Sequence, residues 1–252
     1  MNIGIVGSGM IGGQVARLAV AAGLNVVICN SRAPETLAEL VAELGPKARA
    51  STLAGVATSS ELIVLAIPFA AYPTFPADEL AGKIVVDTLN YYPQRDGVMS
   101  EVNTDQFATS ELIQRRLRRS IVVRAINNVD YVRLLTSARP AGAPDRSALP
   151  VAGDDAEAKA TVISFLDKIG YDAVDMGPLS ESWRSEPTMP VYVAPYMWPE
   201  SPGAASLRTF LTAPGRAVSA SEVRNLVREA VRHSEMFGVL PVFAEPELSE
   251  RA

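Results

Sequence analysis

MNIGIVGSGMIGG, residues 1–13, decides the fold. Asn2 to Val6 reads as a strand, and Gly7, Gly9 and Gly12 follow it directly. Ile11, Val15, Leu18, Ala19 and Ala22 then recur at helical spacing until Gly23 supplies a stop. A GxGxxG string alone is a weak signal, but between a strand and a helix it is the turn that cradles a dinucleotide pyrophosphate. Gly7 makes the tight turn, Gly9 leaves room for the pyrophosphate, and Gly12 lets the helix approach the strand. The loop Gly7-Ser8-Gly9-Met10-Ile11-Gly12 is therefore expected to present the free N–H groups of a helix N-terminus to the phosphates.

Outward from this loop, short β-rich runs alternate with helical patterns, as in parallel βαβ units. Asn25 to Cys29 is a second strand; Pro34 opens a helix with the stripe Leu37, Leu40, Val41 and Leu44, closed by Gly45. Weaker segments are a strand near 48–51 and a helix near 110–117. Leu62 to Ile67, Ile84 to Val86 and Ile121 to Ile126 read as strands buried on both faces. After a Pro/Gly/Ala-rich loop over 138–148, Leu149 to Ala152 and Tyr171 to Met176 read as strands around a helix over 156–169. Prolines and aromatics, Trp183 and Trp198 among them, make 177–215 irregular. Ser219 and Glu222 form a capping box for a last helix with the stripe Val223, Leu226, Val227, Ala230 and Val231, closed by Gly238. The expected architecture is α/β: a Rossmann doubly wound parallel sheet with a smaller C-terminal α/β extension. Residues 1–137 form the nucleotide-binding domain and 138–252 a substrate and dimerisation region.

Composition removes several function classes. With 252 residues and 48% apolar content the chain builds a real core. Its single Cys29 and single His233 leave no disulfide framework and no Cys/His metal site. Cys29 is expected to be a buried hydrophobe, and His233 an exposed structural residue on a charged helix. The net charge of −5 argues against nucleic acid as a partner. Arg115, Arg116, Arg118 and Arg119 read as a solvated helix face and C-terminal turn. Neither a leader nor a membrane span is evident, so a cytoplasmic location is expected.

The second strand ends in Asn30-Ser31-Arg32, where an NAD enzyme places a carboxylate for the ribose 2′-OH. A hydroxyl and a guanidinium instead suit a 2′-phosphate, so NADP(H) is favoured over NAD(H). Ala66-Ile67-Pro68-Phe69 ends the fourth strand at the carboxyl edge, where open α/β sheets bind ligands. Asp87, Thr88 and Asn90 end the next strand, and Asn127 and Asn128 the one after; Asn90, Tyr91, Asn127 and Asn128 are the substrate-contact candidates. Asn and Asp at such places also cap and turn the chain, and that reading stays open. None of the four lysines follows a tyrosine by three or four residues, so the Tyr-Lys dyad of short-chain dehydrogenases is absent. No firm catalytic acid is expected, which suits hydride transfer to an acceptor that is itself electron-poor.

The strings IGIVGSGMIGG (3–13), NSR (30–32), LIVLAIPF (62–69), KIVVDTLN (83–90), LPVAGDDAEAK (149–159) and GYDAVDMGPLSES (170–182) resemble the NADPH-dependent coenzyme F420 reductases, the F420H2:NADP oxidoreductases. The resemblance covers about residues 1 to 182. It implies a homodimer in which F420 stacks on the nicotinamide, with Ser31 and Arg32 on the 2′-phosphate and the Ile67-Pro68 backbone beside the nicotinamide. The chain departs from the archaeal pattern at Asn90-Tyr91-Tyr92 and at Ala125-Ile126-Asn127-Asn128. Three functional readings therefore compete: hydride exchange between NADPH and F420, NADPH-dependent reduction of an activated C=C, C=N or C=O bond in a small molecule or peptide, and a non-enzymatic NADP(H)-sensing module.

Overall fold

A computed structural model describes residues 1–103, 107–197 and 207–232. The strands are β1 (Asn2–Val6), β2 (Asn25–Cys29), β3 (Ala48–Ala50), β4 (Leu62–Leu65), β5 (Ile84–Asp87), β6 (Ile121–Arg124), β7 (Ala148–Gly153) and β8 (Asp172–Gly177). The helices are α1 (Met10–Ala21), α2 (Ala38–Leu44), α3 (Leu53–Ser59), the one-turn α4 (Pro93–Asp96) and α5 (Ser100–Asn103), α6 (Thr109–Arg116), α7 (Tyr131–Thr136), α8 (Ala156–Lys168), α9 (Leu207–Thr212) and α10 (Ala220–Glu229).

All eight strands form one sheet in the order β3-β2-β1-β4-β5-β6-β7-β8. The first six are parallel, β7 runs antiparallel to β6, and β8 is parallel to β7. This is the doubly wound Rossmann order, reversing between β1 and β4. The expected boundary at 137/138 falls in the loop before β7, where strand direction changes, and the sheet continues across it.

The period-2 alternation of each strand divides the core between the two faces. Ile3, Ile5, Val26, Ile28, Leu62, Val64 and Val86 pack with α1, α8 and α10. Val6, Val27, Cys29, Ile63, Leu65 and Val85 pack with α3 and α6 on the other face. Cys29 is buried as expected, and burial pushes its thiol up to about 11. No helix among the described residues is long and apolar enough to cross a membrane.

Several local expectations need correcting. Pro34 opens a 3-10 turn, Pro34–Leu37, before α2 begins. Ser219 accepts the Glu222 N–H, but the Glu222 carboxylate turns to the Arg216 guanidinium, so only half of the capping box forms. Helix α10 ends at Glu229 and Val231 is 59% exposed, so the stripe is shorter than the periodicity suggested. His233, Trp198 and Gly238 lie outside the described residues.

Candidate active site

Parallel register brings the strand ends to one edge. Val6 pairs with Cys29 and Leu65, Leu65 with Asp87, and Asp87 with Arg124. The segments that follow these residues therefore lie side by side: the glycine loop, Asn30-Ser31-Arg32, Ala66-Ile67-Pro68, Thr88-Leu89-Asn90 and Ala125-Ile126-Asn127.

The three glycines are required for different reasons. Gly7 has φ +106°, a conformation that side chains resist, and a Cβ there would lie 2.1 Å from the Ala66 carbonyl oxygen. A Cβ on Gly12 would lie 1.9 Å from the Gly7 carbonyl oxygen, so it is the strand-to-helix approach that excludes one. At Gly9 a Cβ would meet nothing within 4 Å. That opening is where a pyrophosphate would pass. Gly9 is also the N-cap of α1 and offers no side-chain acceptor, so the first-turn amides of a twelve-residue helix stay free of side-chain capping. A cavity of ≈ 420 Å³ adjoins them, lined in part by Ser8, Gly9, Met10, Gly13, Gln14 and Tyr131. The cradle thus fits a dinucleotide diphosphate.

At the end of β2, the Asn30 carboxamide oxygen accepts the Arg32 N–H at 2.8 Å and its Nδ2 donates to Thr36 Oγ1 at 3.1 Å. Asn30 therefore shapes the turn, while Ser31 and Arg32 stand exposed on it. Ile67 is half-buried and Pro68 exposed at the end of β4. Phe69 is fully buried and stacks near Tyr72 and Tyr91, so its ring belongs to the core and only its backbone reaches the edge.

The substrate-contact candidates divide in the same way. The Tyr91 ring is buried, its hydroxyl donating to the Gly97 carbonyl and accepting the Met99 N–H. Asn128 is fully buried and its Nδ2 donates to the Val191 carbonyl and the Tyr196 hydroxyl. Asn127 binds the Ser185 carbonyl and hydroxyl. Each of these three side chains is buried and hydrogen-bonded to another part of the chain. Asn90 alone remains half-buried at the edge.

Around Asn90 the structure brings Asp87 and Tyr92 together with Arg124 and Tyr192, which the sequence did not single out as site residues. Arg124 and Asp87 form an ion pair at 3.0 Å with both side chains fully buried. Asp87 also accepts the Ser110 hydroxyl at 2.7 Å and the Leu89 N–H at 2.9 Å. Arg124 in turn donates to the Leu89 carbonyl and, at 3.1 Å, to Asn90 Oδ1. Asn90 Nδ2 donates to the Asn127 carbonyl at 2.8 Å and to the Tyr192 hydroxyl at 3.3 Å, and the Tyr192 and Tyr92 hydroxyls are hydrogen-bonded to each other. Burial raises both phenols above their ordinary range, so both are protonated at neutral pH. Tyr192 lies 102 residues from Asn90, and no local pattern announces such a pairing.

Two β-branched residues at positive φ hold this arrangement: Ile126 at 66° beside Asn127, and Val193 at 51° beside Tyr192. At Val193 the Ala194 N–H closes a γ-turn onto the Tyr192 carbonyl at 2.6 Å, and the Val193 N–H donates to the Asn128 carbonyl. Such conformations cost of order 1–3 kcal/mol each and cluster where function needs a fixed geometry.

Comparison with known proteins places this geometry in a family. The family described as "NADP oxidoreductase coenzyme F420-dependent" matches residues 2–91. A crystal structure from Arthrobacter sp. FB24, of a protein proposed to be an F420-dependent NADP-reductase, is 30% identical over 73% of this chain and 87% of that one, with TM-score 0.61. A hypothetical protein of Sinorhizobium meliloti is 23% identical over 76% of this chain and 93% of its own, with TM-score 0.66, and shares the fold. Among curated relatives, the metalloreductase STEAP3 of Rattus norvegicus is 29% identical over 77% of this chain. The chain spans 37% of that protein's length.

Proposed function

Because the chain belongs to the coenzyme F420-dependent NADP oxidoreductase family, we propose that it binds NADP(H) on the glycine loop and exchanges hydride with a deazaflavin, coenzyme F420, at the neighbouring strand ends. When bound, NADPH supplies the hydride. The chain's own residues do the rest. The α1 N-terminus and the open space at Gly9 receive the pyrophosphate, and Ser31 and Arg32 engage the 2′-phosphate. Ala66, Ile67 and Pro68 present backbone beside the ring, and Asn90 orients the acceptor. The observation that carries this reading is the uncapped helix N-terminus over the Gly9 opening, joined at the same sheet edge by a β2 end with Arg32 and no carboxylate.

Orientation of two stacked rings can supply much of the catalysis, consistent with the absence of a Tyr-Lys dyad. Anaerobic mixing with NADPH and F420 tests the reading: the oxidised deazaflavin absorbance disappears as NADPH is consumed. NADPH binding with no turnover of any acceptor would favour a sensing module. The Tyr92–Tyr192 hydroxyl pair favours one second reading, reduction of an activated C=C, C=N or C=O bond, and turnover of such a compound in place of F420 would select it. We further propose a homodimer, on the strength of the family resemblance; a monomeric mass by light scattering would refute it.

A further inference from the structure

The hydrogen bonds around Tyr92 and Tyr192 do not balance. The Tyr192 oxygen accepts the Asn90 amide, and one hydroxyl hydrogen joins the two phenols. Each phenol carries a single hydrogen. Whichever tyrosine donates to the other, the pair retains one O–H hydrogen with no acceptor among the described residues. Tyr92 is 7% exposed and Tyr192 half-buried, so an unused donor on the pair is costly unless a ligand or solvent meets it. The rings are also held from several sides. The Arg95 guanidinium lies 4.9 Å from the Tyr92 ring centroid, and Tyr192 packs on the cluster of Val193, Met197 and Phe210 beside its γ-turn.

We propose that the Tyr92–Tyr192 pair is the substrate subsite's hydrogen-bond donor, specifying a conjugated acceptor that carries a carbonyl oxygen or ring nitrogen in conjugation with the carbon receiving hydride. This rests on the NADP(H) reading of the neighbouring loop. As the acceptor's carbon gains hydride, its π electrons collect on the oxygen or nitrogen held by the pair, and water supplies the proton that completes the product. The dihydronicotinamide is the reductant. Both phenols stay protonated, so the pair polarises and positions the acceptor and does not itself ionise.

The arithmetic makes an unusual forecast. Tyr92→Phe leaves Tyr192 with its own free hydrogen, and Tyr192→Phe leaves that of Tyr92, so each single variant keeps one donor. Only Tyr92→Phe with Tyr192→Phe removes both. With NADPH and either oxidised F420 or 2-cyclohexen-1-one as probe, each single variant should stay within about threefold of wild type, and the double variant should lose about ten- to a hundredfold in kcat/KM. Its NADPH affinity, read by nucleotide fluorescence, should be unchanged, while its binding of oxidised F420 without NADPH should weaken. A double variant that equals wild type on the probe that wild type reduces, or single variants whose losses simply add, would overturn the proposal. So would a wild-type protein that binds NADPH but reduces neither probe. Loss of NADPH binding by wild type itself is the distinct signature of a wrong cofactor reading. A measurement on wild type alone guards against a misfolded double variant: with tyrosines labelled at 13Cζ, the Tyr92 and Tyr192 resonances should shift when oxidised F420 or the enone is added. Unmoved resonances at saturating probe would refute the contact.

Discussion

Gly9 separates ligand binding from folding more cleanly than Gly7 or Gly12 does. Its Cβ position is empty, whereas Gly7 and Gly12 sit against backbone carbonyl oxygens. Gly9→Val should therefore leave the circular dichroism spectrum intact and abolish NADPH binding; a folded variant with unchanged affinity would remove the pyrophosphate from this loop. Arg32→Ala should weaken NADPH by about ten- to a hundredfold, from a lost charge-assisted bond of roughly 1.5–3 kcal/mol, and leave NADH affinity unchanged. Equal losses for both nucleotides in paired titrations would place Arg32 away from the 2′-phosphate. The glycine turn was legible because strand, glycines and helix are contiguous in sequence. The hydrogen bonds of Asn127 and Asn128 were not, because the partners Ser185, Val191 and Tyr196 lie roughly sixty residues away in sequence. Tyr192 was hidden for the same reason, within a stretch whose prolines and aromatics give no periodicity.

At the level of elements, β5 and β6 meet the site through the Asp87–Arg124 pair. Strand assignment was legible from the apolar runs Ile84 to Val86 and Ile121 to Ile126, but Arg124 inside the second run reads only as an interruption. In the sheet, Asp87 and Arg124 are register partners, so a carboxylate and a guanidinium that are 37 residues apart neutralise each other where neither reaches water. Removing one partner leaves a buried charge, and Arg124→Met should cost about 3–5 kcal/mol. Replacing both, with Asp87→Leu added, should recover part of that loss, because the desolvation of two ions disappears along with their attraction. Urea unfolding of the single and double variants measures this. If Arg124→Met cost less than about 1 kcal/mol, the pair would be solvated rather than buried. The later elements show the complementary limit. The Ser219 cap and the stripe Val223, Leu226 and Val227 announced α10, but the diversion of Glu222 to Arg216 depends on where the chain turns before the helix.

Across the whole molecule, protonated acids hold distant parts together, and this sets its alkaline limit. The Tyr171 hydroxyl, just before β8, donates to the Leu134 carbonyl at 2.6 Å, tying the entry to β8 to α7, and the Tyr196 hydroxyl donates to the Ala148 carbonyl at 2.8 Å, tying the late segment to β7. Tyr92 and Tyr192 join the β5 end to that same segment, and Cys29 fills the core under the glycine loop. Burial raises all five groups, the thiol from 9.0 to about 11 and the phenols above 10.0. An acid whose folded value lies above its unfolded one keeps its proton longer in the native state, so the unfolded chain releases protons first as pH rises. Stability from these groups is therefore complete below about pH 9 and declines above it, by up to about 1.4 kcal/mol per pH unit for each group ionised only in the unfolded chain. Cys29 acts first and the phenols follow above pH 10, so the decline steepens. Urea midpoints measured from pH 7 to 12 should stay level on this account to about pH 9 and then fall, with tyrosinate absorbance from these four phenols rising in the same step as the loss of circular dichroism. Cys29→Ala should remove the earliest part of the decline and leave the steeper part. Tyrosinate absorbance that rose in full, smoothly from pH 10 in a protein still folded, would show the phenols to be open to solvent and would remove the ties proposed between β8, α7 and the late segment.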